Sequence, residues 1–186
     1  MGKVIRFFNY DAALAYYEDK IDSMRQGSVG RHDGVRIIAK PVLILSIVKG
    51  IHDGLFKRNR FDYEEVNSIY ETLFRKYFFQ GRQSNLTPLC YPFYYLRTDG
   101  FWHLSWKEHG ESATNAPSRA WIGRNVEYAY LDEELWLLLN NDEYSNRLKD
   151  YLVQCKIIQT ISNIDLAAEP GWGEKLKSFL TLLLAI

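Results

Sequence analysis

The sequence predicts a mainly helical domain of α+β type, with a small antiparallel β-sheet or hairpin inserted after the third helix. Two observations carry that prediction. Several stretches place apolar residues at three-to-four-residue steps, the period of a helix with one buried face. Between the third and fourth of them the pattern switches to alternation around an Asp-Gly pair, the signature of a strand turn.

The elements follow in order. From Tyr10 to Gln26, residues Ala13, Leu14, Tyr17, Ile21 and Met24 make an amphipathic stripe closed by Gly27. A Gly-rich, positive loop GSVGRHDGVR leads to Lys40-Pro41, and proline suits the first turn of a helix. The continuous apolar run from Val42 to Val48 predicts a helix buried on nearly all sides, ending near Gly50 and Gly54. A basic turn, Lys57-Arg58-Asn59-Arg60, precedes the third helix. Asp62 is its expected cap and Glu64 and Glu65 suit its dipole. Its apolar face is Val66, Ile69, Leu73, Phe74, Tyr77 and Phe78.

Tyr91 to Leu104 alternates and breaks at Thr98-Asp99-Gly100, which predicts a hairpin there. Trp121 to Tyr130 supplies a third short strand through Val126, Tyr128 and Tyr130. Asp132 is the expected cap of a helix carrying Leu135, Trp136, Leu138 and Leu139. A further helix runs from about Asn141 to Ile161, and Pro170-Gly171 breaks the chain before a final apolar helix. Residues 1–165 are expected to form the domain, and 166–186 its apolar C-terminal helix or the start of a linker. The closing run FLTLLLAI is too short to span a bilayer, so it docks on its own core or belongs to something longer.

Bulk composition narrows the function. The 186 residues suit one domain, and 47% hydrophobic with 25% charged residues favours a packed core over disorder. Lys+Arg and Asp+Glu both number 23, a formal charge of +0. That neutrality is uneven. Up to Asn125 there are 18 basic against 13 acidic residues, a net of +5, and after it 5 against 10, a net of −5. A signal-peptide apolar region and a myristoylation pattern are both absent from the start MGKVIR, so a cytoplasmic setting without membrane attachment is expected.

Catalytic chemistry finds no pattern. The histidines are His32, His52, His103 and His109; HExxH, GxSxG, Walker and GxGxxG motifs are all missing. Cys90 and Cys155 lack the CxxC spacing of a zinc site, and no catalytic residue, metal or cofactor is expected. Binding is better supported. Arg31, His32, Arg36 and Lys40 form one positive group, Lys57, Arg58 and Arg60 another, Arg119 and Arg124 a third. Each sits at a turn or helix start, where phosphates are gripped. Pro41 adjoins Lys40, and Trp121 lies between Arg119 and Arg124. The proline of Tyr91-Pro92-Phe93 forms either strand-entry core or a shallow apolar notch.

At these residues the chain resembles a known family. AKPVLILSIVKGI (39–51), YPFYYLRTDGFWHL (91–104) and LDEELWLLLNNDEYSNRLKDYLV (131–153), in that order, are similar to the sulfur-binding domain of McrA-like, modification-dependent HNH restriction endonucleases of bacteria. The resemblance covers roughly residues 10–155. It implies a reader of double-stranded DNA whose backbone carries a phosphorothioate, associated with a nuclease domain or subunit. It implies a sulfur pocket at Tyr91 and Pro92, with Phe93 beside them, and a DNA contact from Lys40. Arg119, Trp121 and Arg124 stand as equivalents of the family's later aromatic and arginine contacts. Relatives carry a histidine before the basic residue where this chain has Ala39, so that role does not carry over. No HNH-like cluster follows residue 155, which leaves a reader alone, cut from a longer protein, or a stand-alone sensor. Two other readings fit the residues: a winged-helix-like general DNA-binding module, and a protein-interaction domain using the acidic C-terminal third. A nuclease subunit is a remoter fourth.

Overall fold

The computed structural model describes residues 9–29 and 35–158, and the fold is mainly helical with a small antiparallel sheet after the third helix. The long helices are α1 (Tyr10–Ser23), α2 (Ala39–His52), α3 (Tyr63–Lys76) and α7 (Asp142–Leu152). Shorter ones are α4 (Cys90–Tyr95), α5 (Arg119–Asn125) and α6 (Glu133–Leu139). Strands β1 (Trp102–Trp106) and β2 (Val126–Leu131) pair antiparallel. The expected final helix at 166–186 lies outside the described residues.

The apolar run of α2 makes it the axis. Pro41 through Val48 and Gly50 are all buried, and α3, α4 and α7 pack around it while α1 covers α6 and α7. Ser46, the one hydroxyl in that run, donates back to the Val42 carbonyl at 2.7 Å, so no polar atom of it is stranded. Helix α3 turns Val66, Tyr70 and Phe74 inward, with Ile69, Leu73 and Phe78 partly buried behind them. Tyr70 extends the expected face because its hydroxyl reaches the Thr87 carbonyl at 2.8 Å.

The hairpin expected at Thr98-Asp99-Gly100 does not form. Residues 90–95 are helical, Leu96–Asp99 continue as a 3₁₀ turn, and Gly100 ends it at φ 85°, a conformation glycine adopts without strain. Leu89, Phe93 and Leu96 recur at helical steps and all are buried, as are Cys90 and Tyr94. Over so short a run that period is hard to separate from alternation. Pro92 falls in the first turn, where a missing N–H costs nothing. The partner of β1 is therefore β2, more than twenty residues on, with an irregularity between Ser105 and Trp106. Phe61 adds a two-bond bridge to the other edge of β2, exchanging hydrogen bonds with Ala129 at 2.8 and 2.9 Å. The strand expected from Trp121 starts only at Val126, because Ser118 caps a helix by accepting from the Trp121 N–H at 3.1 Å.

Neither Asp62 nor Asp132 caps its helix with its side chain. The side-chain caps are Asn9, Ser118 and Asn141. Asp132 has a different task. Its carboxylate accepts from the Tyr17 hydroxyl at 3.3 Å and pairs with His103 Nε2 at 2.7 Å, tying α1 and β1 to the start of α6. Burial, together with that carboxylate, holds the Tyr17 hydroxyl far above its ordinary range, so it stays a donor. Helix α1 is shorter than expected, and α7 stops at Leu152 in a π-helical turn, Val153–Ile158.

Gly50 tests the packing around α2. A methyl there would sit 2.2 Å from Phe56 Cε2, and Phe56 is itself buried against Phe61. Alanine in place of glycine gains about 1 kcal/mol of helix propensity. Overpacking of this kind costs typically 1–3 kcal/mol, roughly offsetting or exceeding it. Gly50→Ala is expected to lower stability in urea denaturation, despite its better helix propensity.

Candidate nucleic-acid interface

Helix α4 lies between α2 and α5 and brings the expected site residues into relation. Its orientation is set from below by Phe93, which packs edge-on against Tyr63 at 5.2 Å and Trp102 at 5.4 Å. Phe93 is wholly buried, so it is core and not part of an open notch. Pro92 is buried as well, whereas Tyr91 is 44% exposed. Of the expected notch only the Tyr91 ring is exposed, on the outer face of α4, while Pro92 and Phe93 are buried. Tyr95, one turn on, is exposed beside it and donates to the Asn115 carbonyl at 3.2 Å.

Three helix starts converge here. Tyr63 and Glu64 open α3, Cys90 and Tyr91 open α4, and Ser118 and Arg119 surround the start of α5. Helices α4 and α5 are in contact here. Cys90 is buried, and burial pushes its thiol up, which disfavours the thiolate. Burial likewise raises the Tyr63 hydroxyl to about 12. Arg119 Nε and Nη2 each donate to Glu64 at 2.8 Å, a two-pronged pair between residues 55 positions apart. The loop from Lys107 to Ser118 is stitched down beside α4: the Thr114 N–H donates to the Tyr94 hydroxyl and Glu111 N–H to Asn125 Oδ1. Gly110 is required in it, since a Cβ would meet the Asn125 carbonyl oxygen at 2.6 Å.

At the other end of this segment Lys40 donates to Asp99, with side chains only 14% and 7% exposed. The ammonium expected to touch DNA is thus committed to a buried carboxylate, and the pair binds the start of α2 to the 3₁₀ turn after α4. Pro41 is buried in the first turn of α2 and Trp121 is buried against Tyr94 at 5.3 Å; both pack the core and present no surface to a ligand. Arg36 is exposed, with its carbonyl accepting from Gln83. Arg124 is exposed near the end of α5. Five helical residues turn the direction by roughly 140°, so Arg119 and Arg124 do not share a face. Arg31 and His32 lie outside the described residues.

The second basic group sits elsewhere. Asn59 clamps the turn to β2 by donating to the Leu131 carbonyl and accepting its N–H, both at 2.8 Å. Arg60 then covers the Tyr128 ring at 4.1 Å and faces Glu127 at 3.6 Å. Lys57 and Arg58 are exposed at its tip. Glu64 and Asp99, the counter-charges of Arg119 and Lys40, were invisible as such in the sequence, because their partners lie 55 and 59 residues away. Arg97 was also missed; its guanidinium lies over the Tyr94 ring at 4.2 Å, and its buried Nε makes no hydrogen bond.

Among the described residues no group of three or more His, Cys, Asp or Glu side chains is placed to hold a metal ion. No helix among them is long and apolar enough to cross a membrane. No protein-family model matches the chain, and no curated protein matches it at a significant level.

The Lys40–Asp99 pair sets up a stability test. Removing one partner of a buried pair leaves an uncompensated charge, at a cost of about 3 kcal/mol or more, whereas replacing both with apolar groups is often neutral. Asp99→Ala is expected to lose about that much in chemical denaturation. The double variant Lys40→Met/Asp99→Leu is expected to recover most of it.

Proposed function

We propose that this chain is a non-catalytic reader of double-stranded DNA that recognises a backbone phosphorothioate in the cytoplasm, in company with a nuclease domain or subunit. The observation that carries the reading is the outer face of α4: an exposed Tyr91 ring on a short helix in contact with α5, which opens on Arg119. The order of the three family-like segments supports the same ligand.

The chemistry follows from how sulfur differs from oxygen. Sulfur is larger and accepts hydrogen bonds poorly, so aromatic carbon can cover it with little desolvation cost. The same surface leaves an ordinary phosphate oxygen without partners, and an unsatisfied charged acceptor is costly. Discrimination is then a penalty on the wrong ligand as much as a gain on the right one. Arg119 supplies the charge that both backbones share, and Tyr91 the surface that only sulfur tolerates. Phe93 and Trp121 serve by holding α4 and α5 in place.

Fluorescence anisotropy with two duplexes of one sequence, one carrying a single phosphorothioate, tests this. The modified duplex is expected to bind at least about tenfold tighter, which corresponds to roughly 1.4 kcal/mol. Affinity for both is expected to fall steeply with salt, as phosphate contacts dictate. Tyr91→Ala should bring the two affinities together, whereas Arg119→Ala should weaken both by a similar factor. Equal affinity of the unaltered protein for the two duplexes overturns the sulfur reading.

A further inference from the structure

We propose that Glu64 is a resident competitor for phosphate at Arg119, a carboxylate that sets how weakly the protein holds ordinary DNA. This rests on the DNA reading above and deepens it.

The geometry of the pair is the starting point. Arg119 presents Nε and Nη2 to the two oxygens of Glu64, each at 2.8 Å. That fork is the arrangement by which a guanidinium takes two phosphate oxygens. Carboxylate and phosphate therefore compete for the same donors in the same orientation. A backbone phosphate can engage Arg119 through this edge only by displacing Glu64, and it then faces a second anion close by.

Burial separates this pair from the other candidate contact. The Lys40 and Asp99 side chains are almost enclosed, and their pair holds two segments of the fold together. The Arg119 and Glu64 side chains are 70% and 60% exposed. Exposed pairs contribute little to folding. An exposed pair that spans 55 residues with both prongs engaged does little for stability, yet it occupies the arginine that opens α5, the helix in contact with α4. Glu64 does not act through the Tyr91 surface, so it handicaps modified and unmodified DNA alike. The effect is to lower the baseline. A reader of one modified linkage meets a vast excess of ordinary backbone, and non-specific affinity is what that excess exploits.

A double-mutant cycle tests the assignment on the full chain. Wild type, Glu64→Gln, Arg119→Ala and the double variant are titrated against both duplexes over a range of salt concentrations, with Glu64→Ala as a second replacement. Glu64→Gln is expected to tighten binding of both duplexes by about three- to tenfold, leave their ratio unchanged, and steepen the salt slope by about one phosphate contact. In the Arg119→Ala background the same replacement is expected to change affinity by less than about twofold. No gain from either replacement of Glu64 overturns the proposal. A full gain that persists without Arg119 also overturns it, because Glu64 then acts as diffuse surface charge. If the wild type prefers the modified duplex while Glu64→Gln changes nothing, only the competitor role fails. If neither duplex binds wild type or Glu64→Gln at low salt, the DNA reading fails with it.

Discussion

The structure depends on where Trp102 sits. Its indole is wholly buried, stacked on Phe61 at 5.6 Å and 9°, and met edge-on by Phe93 at 5.4 Å. Its N–H donates to the Phe93 carbonyl at 2.8 Å. One side chain thus joins β1, the segment leading into α3, and α4. A helix of six residues has too few hydrogen bonds to persist alone. Helix α4 keeps its shape because Trp102 takes up a carbonyl near its end and Phe93 fills the space beneath. The exposure of Tyr91 on the opposite face follows from that anchoring.

Charge is arranged on the same principle of pairing across distance. The basic first two-thirds of the chain suggests an exposed positive surface, but Lys40, Arg60 and Arg119 each face a carboxylate: Asp99, Glu127 and Glu64. Asp99 and Glu64 are already among the acids subtracted in the +5, so these pairs leave that net charge as it is and decide only which cations are tied to a neighbour. Many cations of the described residues reach solvent, Arg36, Lys57, Arg58 and Arg124 among them, while Arg60, Arg119 and Arg147 each face an exposed carboxylate.

The helical frame was legible because its signals are local and repeated. The run of α2 and the stripes of α1, α3 and α7 each span three turns or more, long enough for the period to declare itself. The α4 segment was misread because six residues with a proline and an Asp-Gly sequel satisfy the hairpin pattern equally well. Only the distant partner of β1 decides between them. Capping by Asp132 failed for a related reason: His103 and Tyr17, remote in sequence, compete for its carboxylate and win. Of the residues the sequence singled out for a site, Tyr91 and Arg119 are exposed. It could not separate surface from core within Tyr91-Pro92-Phe93, nor see that Lys40 and Trp121 face inward. Those distinctions come from tertiary packing, which leaves no short-range trace.

The central claim is that the outer face of α4, with the loop and helix start beside it, is where DNA lies. Hydrogen–deuterium exchange with and without the phosphorothioate duplex addresses it most directly. The account predicts slowed exchange in peptides covering 90–99 and 113–120, with no change across α6 and α7. Protection centred on α6 and α7, or none in the α4 segment under saturating duplex, would contradict it.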